Sequence, residues 1–88
     1  MNVFAVAAFR SRQQVLYFED IFSREGVPAQ IVSTPHEIAA GCGLSLMFPI
    51  GYTPQAQQLI HRYRPTNLIG LYRIEEGDGK RRLTALAK

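Results

Sequence analysis

The sequence predicts an α/β (α+β) sandwich: an antiparallel sheet with two helices on one face. Three observations predict it. Short apolar runs alternate with two segments of helical period, in the order β-α-β-β-α-β. Each helical segment carries its own start signal and its own stop. Two right-handed crossovers then close this order most economically as a split β-α-β, ferredoxin-like arrangement, with an extra strand expected at the C-terminal edge.

Residues 2–9 are apolar at both parities, which marks a strand covered on both faces or placed in mid-sheet. Ser11 and Gln14 have capping-box spacing, the Ser11 hydroxyl accepting from an amide one turn in and Gln14 reaching back to the Ser11 amide. Val15, Leu16, Phe18, Ile21 and Phe22 follow at helical spacing, with Glu19, Asp20, Arg24 and Glu25 mostly opposite. Gly26 stops this helix and Pro28 closes its exit. Residues 28–34 read as a second strand ended by Pro35, and 36–41 as one helical turn or an ordered loop.

Residues 44–48 form the third strand, with Leu44, Leu46 and Phe48 on one face. Thr53-Pro54 opens the second helix as an N-cap followed by proline. Ala56, Leu59, Ile60 and Tyr63 make its buried stripe, Gln55, Gln57, Gln58 and Arg62 its wet side, and Pro65 ends it. Residues 67–74 are the fourth strand. Glu75-Glu76-Gly77-Asp78-Gly79 is a turn signal, after which residues 80–86 return as a fifth strand. Lys80-Arg81-Arg82 suits an exposed edge, and a frayed tail or short helix is the alternative for 76–88. Phe4, Phe9, Phe18, Phe22 and Phe48 are core by their spacing.

The chain's 88 residues make one domain, and 47% hydrophobic with 19% charged residues excludes disorder. A core of this size leaves a slim stability margin, which self-association would widen. The formal charge of +3 is not laid out as a basic stripe interleaved with exposed aromatics, so nucleic acid is not an expected partner. A single cysteine forms no internal disulfide, which points to a reducing, cytoplasmic setting. The apolar start is too short for a membrane span, and Arg10 and Arg12 follow it where a signal peptide would place its charges first. No P-loop, dinucleotide fingerprint or Ser-His-Asp context is present. Cys42, His36 and His61 lack the paired spacing of a zinc site, so neither metal nor cofactor is expected. Glu37 has no carboxylate neighbour with which to share acid–base work.

The chemistry centres on Cys42, set between Gly41 and Gly43 where neighbours without side chains leave a thiol open to approach. The expected topology starts the third strand at the end of the sheet where the first strand passes into the first helix. Cys42 is then expected near Ser11, Arg10 and Arg12, whose helix-start amides and guanidinium groups would stabilise a thiolate. His36, six residues earlier, is a candidate base or cation for it. The competing reading is a small residue buried at a tight turn.

The segment Thr34-Pro35-His36-Glu37-Ile38-Ala39-Ala40-Gly41-Cys42-Gly43-Leu44-Ser45-Leu46 resembles the Se/S carrier protein-like family of small bacterial domains. Its members carry Pro-Arg, small residues, Cys-Gly and an alternating apolar strand. Pro35, Glu37, Ile38, Cys42, Gly43, Leu44 and Leu46 fit that pattern, with Phe9, Ser11 and Glu19 resembling its first strand-to-helix junction and Leu71–Ile74 its closing strand. His36 and Met47 stand where arginines are expected. The resemblance implies a carrier of reduced sulfur or selenium, with Cys42 as acceptor and donor and acceptor proteins as partners. With no second cysteine, any relay involves a partner or a second copy. The other class of function is a non-catalytic regulatory or interaction module with a structural Cys42, pairing as a homodimer through the open sheet face. A self-sufficient enzyme is short of parts.

Overall fold

The computed structural model describes residues 2–38 and 43–87, the side chain of Ala87 apart. Gly41 and Cys42 therefore lie outside the described residues. The elements follow in the order β1 (Asn2–Phe9), α1 (Arg12–Arg24), β2 (Gln30–Ser33), β3 (Leu44–Pro49), a short 3-10 turn (Ile50–Tyr52), α2 (Thr53–Tyr63), β4 (Leu68–Gly77) and β5 (Lys80–Ala87). They form an α+β structure with one five-stranded sheet in the order β2-β3-β1-β4-β5, every neighbouring pair antiparallel.

The central strand explains its own composition. Ala5, Ala7 and Phe9 of β1 join the core against the helices, together with Leu46, Phe48, Val15, Phe18 and Phe22. Val6 and Ala8 point to the opposite face and are also buried. A strand covered on both sides has no polar parity to show. Phe9, Phe18, Phe22 and Phe48 form a chain of ring contacts through this core. Phe4, by contrast, is half-buried on the opposite face, since the strand's alternation turns it away from the helices.

α1 opens at Ser11, whose hydroxyl accepts from the Gln14 amide at 3.4 Å. The reciprocal half of the box does not form, and Gln14 Oε1 is buried with no partner among the described residues. Gly26 closes the helix at a φ of +79°, a conformation side-chain-bearing residues avoid, while the Val27 amide donates to the Phe22 carbonyl at 2.8 Å. Leu16 departs from its expected core position. It is 51% exposed, because Val15, Phe18, Ile21 and Phe22 alone fill the stripe facing the sheet.

α2 departs in its first turn. Thr53 is not the N-cap: it is already helical, its hydroxyl donates to the Ile50 carbonyl at 2.7 Å, and Tyr52 caps the helix after the 3-10 turn. Ala56 and Leu59 are buried, but Tyr63 is 42% exposed where the stripe runs past the sheet. The β4–β5 hairpin turns through Asp78 and Gly79, both at positive φ (52° and 72°), as a two-residue turn matched to strand twist requires.

The sheet face away from the helices was expected to be open to solvent or to a second copy. Instead the chain covers part of it. Val6, Ala8, Ser45 and Ile74 are buried there. Pro35, His36 and Glu37 and the side of Arg81 line one groove of about 710 Å³ with Phe4, Val6 and Ile74. Arg81 on β5 donates to Glu76 at 2.9 Å and reaches Glu37 at 3.4 Å, so the turn after β2 and the hairpin at the opposite edge meet across this face.

Candidate functional site

The surroundings of the Gly-Cys-Gly segment are read from Gly43, its last member. The Thr34 amide donates to the Gly43 carbonyl at 2.9 Å. A Cβ built on residue 43 would stand 2.9 Å from Thr34 Oγ1 and 3.9 Å from the Phe9 carbonyl oxygen. Glycine is required here by close approach, not by an unusual φ. The next two residues pair with the end of β1, Leu44 opposite Phe9 and Ser45 opposite Ala8. Ser45 and Thr34, both buried, bring their hydroxyls to 2.7 Å of each other. Each satisfies the other's polar group where both are buried.

Phe9 leads directly to Arg10, Ser11 and the first turn of α1. The fold therefore brings Gly43 to the end of the sheet that also carries Ser11, Arg10 and Arg12. The Arg10 amide is held by the Asn67 carbonyl at 2.7 Å, while the Arg10 and Arg12 side chains are exposed and make no salt bridge among the described residues. The first turn of α1, with the positive end of its helix dipole, stands at this end of the sheet.

His36 is on the sheet face away from the helices. It lies in a turn in which the Ile38 amide donates to the Pro35 carbonyl at 3.0 Å, and it lines the groove with Arg81 and Ile74. Glu37 is spent on Arg81. That carboxylate and, first, the Glu76 hydrogen bond hold the Arg81 guanidinium above its ordinary pKa. His61 is exposed on the last turn of α2.

The Thr34–Ser45 pair was not foreseen from the sequence. Its only signal was a serine set between Leu44 and Leu46 in an otherwise apolar strand, and its partner becomes apparent only once β2 and β3 are in register. A second open groove, about 1300 Å³, lies at the other end of the sheet between Asn2, Gly26 and Tyr52. Among the described residues no group of three or more His, Cys, Asp or Glu is placed to hold a metal ion. Among the described residues no helix is long and apolar enough to cross a membrane.

A family model described as "Putative Se/S carrier protein-like" matches residues 4–72, a span running from β1 into β4 and including Cys42. No curated protein and no solved structure matches the chain.

Proposed function

The chain belongs to the Se/S carrier protein-like family, and on that premise we propose that Cys42 carries reduced sulfur or selenium between two partner proteins. The Cys42 thiolate attacks the outer sulfur of a donor persulfide. A new sulfur–sulfur bond forms on Cys42, the donor's own bond breaks, and the donor leaves as a thiolate. The acceptor's thiolate repeats the exchange in the opposite sense, so the sulfur atom moves with no external oxidant or reductant. Selenium travels in the same way from a selenosulfide donor.

The observation that carries this reading is the place of Gly43. The residue bonded to Cys42 stands beside the Phe9 carbonyl, at the junction of β1 and α1 with Ser11, Arg10 and Arg12. Such a setting lowers a thiol's pKa through helix-start amides and nearby positive charge. Met47 and His36 replace arginines of the family pattern, which leaves Arg10 and Arg12 as the local cations. The strand order β2-β3-β1-β4, with two helices between strands, supports a ferredoxin-like reading in which β5 is an appended edge strand. A lone transfer thiol also suits the reducing conditions of a cytoplasm.

The test is iodoacetamide labelling of the native protein across pH, beside a Cys42→Ser control, followed by mass spectrometry after incubation with a persulfide donor. A labelling midpoint below the free-cysteine value of about 8.5 and a mass gain of one sulfur on Cys42 are expected. A thiol that labels only in denaturant would overturn the proposal and favour a structural role.

A further inference from the structure

The basic side chains are unevenly placed. Arg10 and Arg12 flank Ser11 at the start of α1, and Arg62 and Arg64 flank Tyr63 at the end of α2. Asn67, three residues beyond Arg64, joins the two places through its bond from the Arg10 amide at 2.7 Å. All four side chains are exposed, and none forms an ion pair among the described residues. Most carboxylates lie elsewhere, and Asp20, beside Tyr17 and Tyr63, is taken up by Arg24. Glu19, Asp20 and Glu25 belong to the second half of α1 and the residue after it, Glu75, Glu76 and Asp78 to the hairpin, and Glu37 to the turn held by Arg81. Without these four arginines the chain's 10 basic residues would fall to six against 7 carboxylates, so the four more than account for its net charge of +3.

Helix stability does not explain this arrangement. Arg62 suits a helix C-terminus, but Arg12 stands in a first turn that holds no acidic residue, where the dipole disfavours positive charge. Beside the arginines lie the exposed large hydrophobic residues Leu16 (51%), Tyr17 (50%) and Tyr63 (42%). The Tyr17 and Tyr63 rings meet edge to face at 6.4 Å, and both also pack edge to face on Phe18. They are apolar anchors bordered by the Asp20–Arg24 ion pair on one side and by the helix ends that carry the four unpaired arginines on the other, the pattern of a protein interface hot spot. Base stacking needs free ring faces along a groove, and these rings are spent on one another.

We propose that this end of the helical layer docks an acidic protein, the one that loads or unloads Cys42. The inference rests on the transfer reading. Carboxylates of the partner meet Arg10, Arg12, Arg62 and Arg64, and an apolar residue seats against Leu16, Tyr17 and Tyr63. Because Gly43 lies at the same end, a protein docked there brings its own thiol to the segment that holds Cys42.

The test is fluorescence anisotropy with a labelled peptide of alternating Glu and Leu, a Lys and Leu peptide of the same length, and a poly-dT oligonucleotide of matching charge. The acidic peptide is expected to bind at low salt and to weaken as salt is added. Arg62→Glu/Arg64→Glu and, separately, Leu16→Ala should each weaken it about tenfold, and Arg73→Gln, on β4 and engaged with Glu75, should leave it unchanged. Failure of the acidic peptide to bind at millimolar concentration overturns the proposal, as does equal binding of the basic one. Tighter binding of the oligonucleotide assigns the surface to nucleic acid and overturns it too. Salt-sensitive self-association by sedimentation, lost in Arg62→Glu/Arg64→Glu, would make the occupant a second copy and overturn it likewise. An inert thiol in the labelling assay sinks the transfer reading and with it the partner's cargo role, whereas a reactive thiol with no peptide binding sinks the docking inference alone.

Discussion

The hydroxyls of Thr34 and Ser45 lie 2.7 Å apart, buried between β2 and β3 one step from Gly43. Two polar groups that would each be costly alone are made harmless by one bond, and the start of β3 is tied to the turn after β2. Ser45→Ala should cost about 1–3 kcal/mol, because it leaves the Thr34 hydroxyl buried without a partner. Removing both hydroxyls with Thr34→Val/Ser45→Ala should cost less than the two single losses added. Denaturant melts of the four proteins give the coupling, and strict additivity would mean that the bond contributes nothing.

Gly43→Ala should destabilise by roughly 1–3 kcal/mol through overpacking, since the new methyl stands 2.9 Å from Thr34 Oγ1 and 3.3 Å from Thr34 Cβ. Thr34→Ala, which removes that oxygen, should recover part of the loss in the double variant. Gly51→Ala is the control: nothing lies within 4 Å of a Cβ there, and the change should stay within about 0.5 kcal/mol. Equal effects at the two glycines in thermal melts would discard the close-approach explanation.

Under the transfer reading, Arg12→Gln should raise the labelling midpoint of Cys42. A nearby positive charge favours the thiolate, so its loss moves the pKa up, by as much as about 1 unit. Arg73→Gln, on β4 and engaged with Glu75, should leave the midpoint in place. Identical pH profiles for wild type and Arg12→Gln would remove Arg12 from the site.

The Glu37–Arg81 contact is solvent-exposed and should contribute under about 1 kcal/mol, so Glu37→Gln should barely move the melting temperature. Its effect is local. Hydrogen exchange at the Ile38 amide, bonded to the Pro35 carbonyl, should quicken in the variant and in high salt. The Arg81 guanidinium is charged throughout the neutral range, and Glu76 and then Glu37 raise its pKa further, so within that range the contact should follow salt rather than pH. Unchanged exchange at Ile38 would show that the turn stands without this ion pair.

Much of the fold was written in short stretches of chain. Ser11 as a cap, Gly26 as a stop and the doubly apolar run of β1 each depend on neighbours a few residues away, and each is found where it was expected, whereas the turn expected over Glu75–Gly79 narrows to Asp78-Gly79 because Glu75, Glu76 and Gly77 pair with β5. Leu16 and Tyr63 were misjudged for a related reason: helical period names a stripe, but only the width of the sheet beneath decides where that stripe leaves the core.

Cys42 was legible as a residue and as part of a family motif. The sequence determined the elements, their order and the candidate thiol, since caps, turns and periodicity are local interactions. Tertiary structure alone decided that Gly43 meets Thr34, that Ser45 finds its partner, that Glu37 crosses to Arg81, and that Tyr17 meets Tyr63. Those contacts depend on strand register and twist, which join residues far apart in the chain and leave no trace in any short window of it.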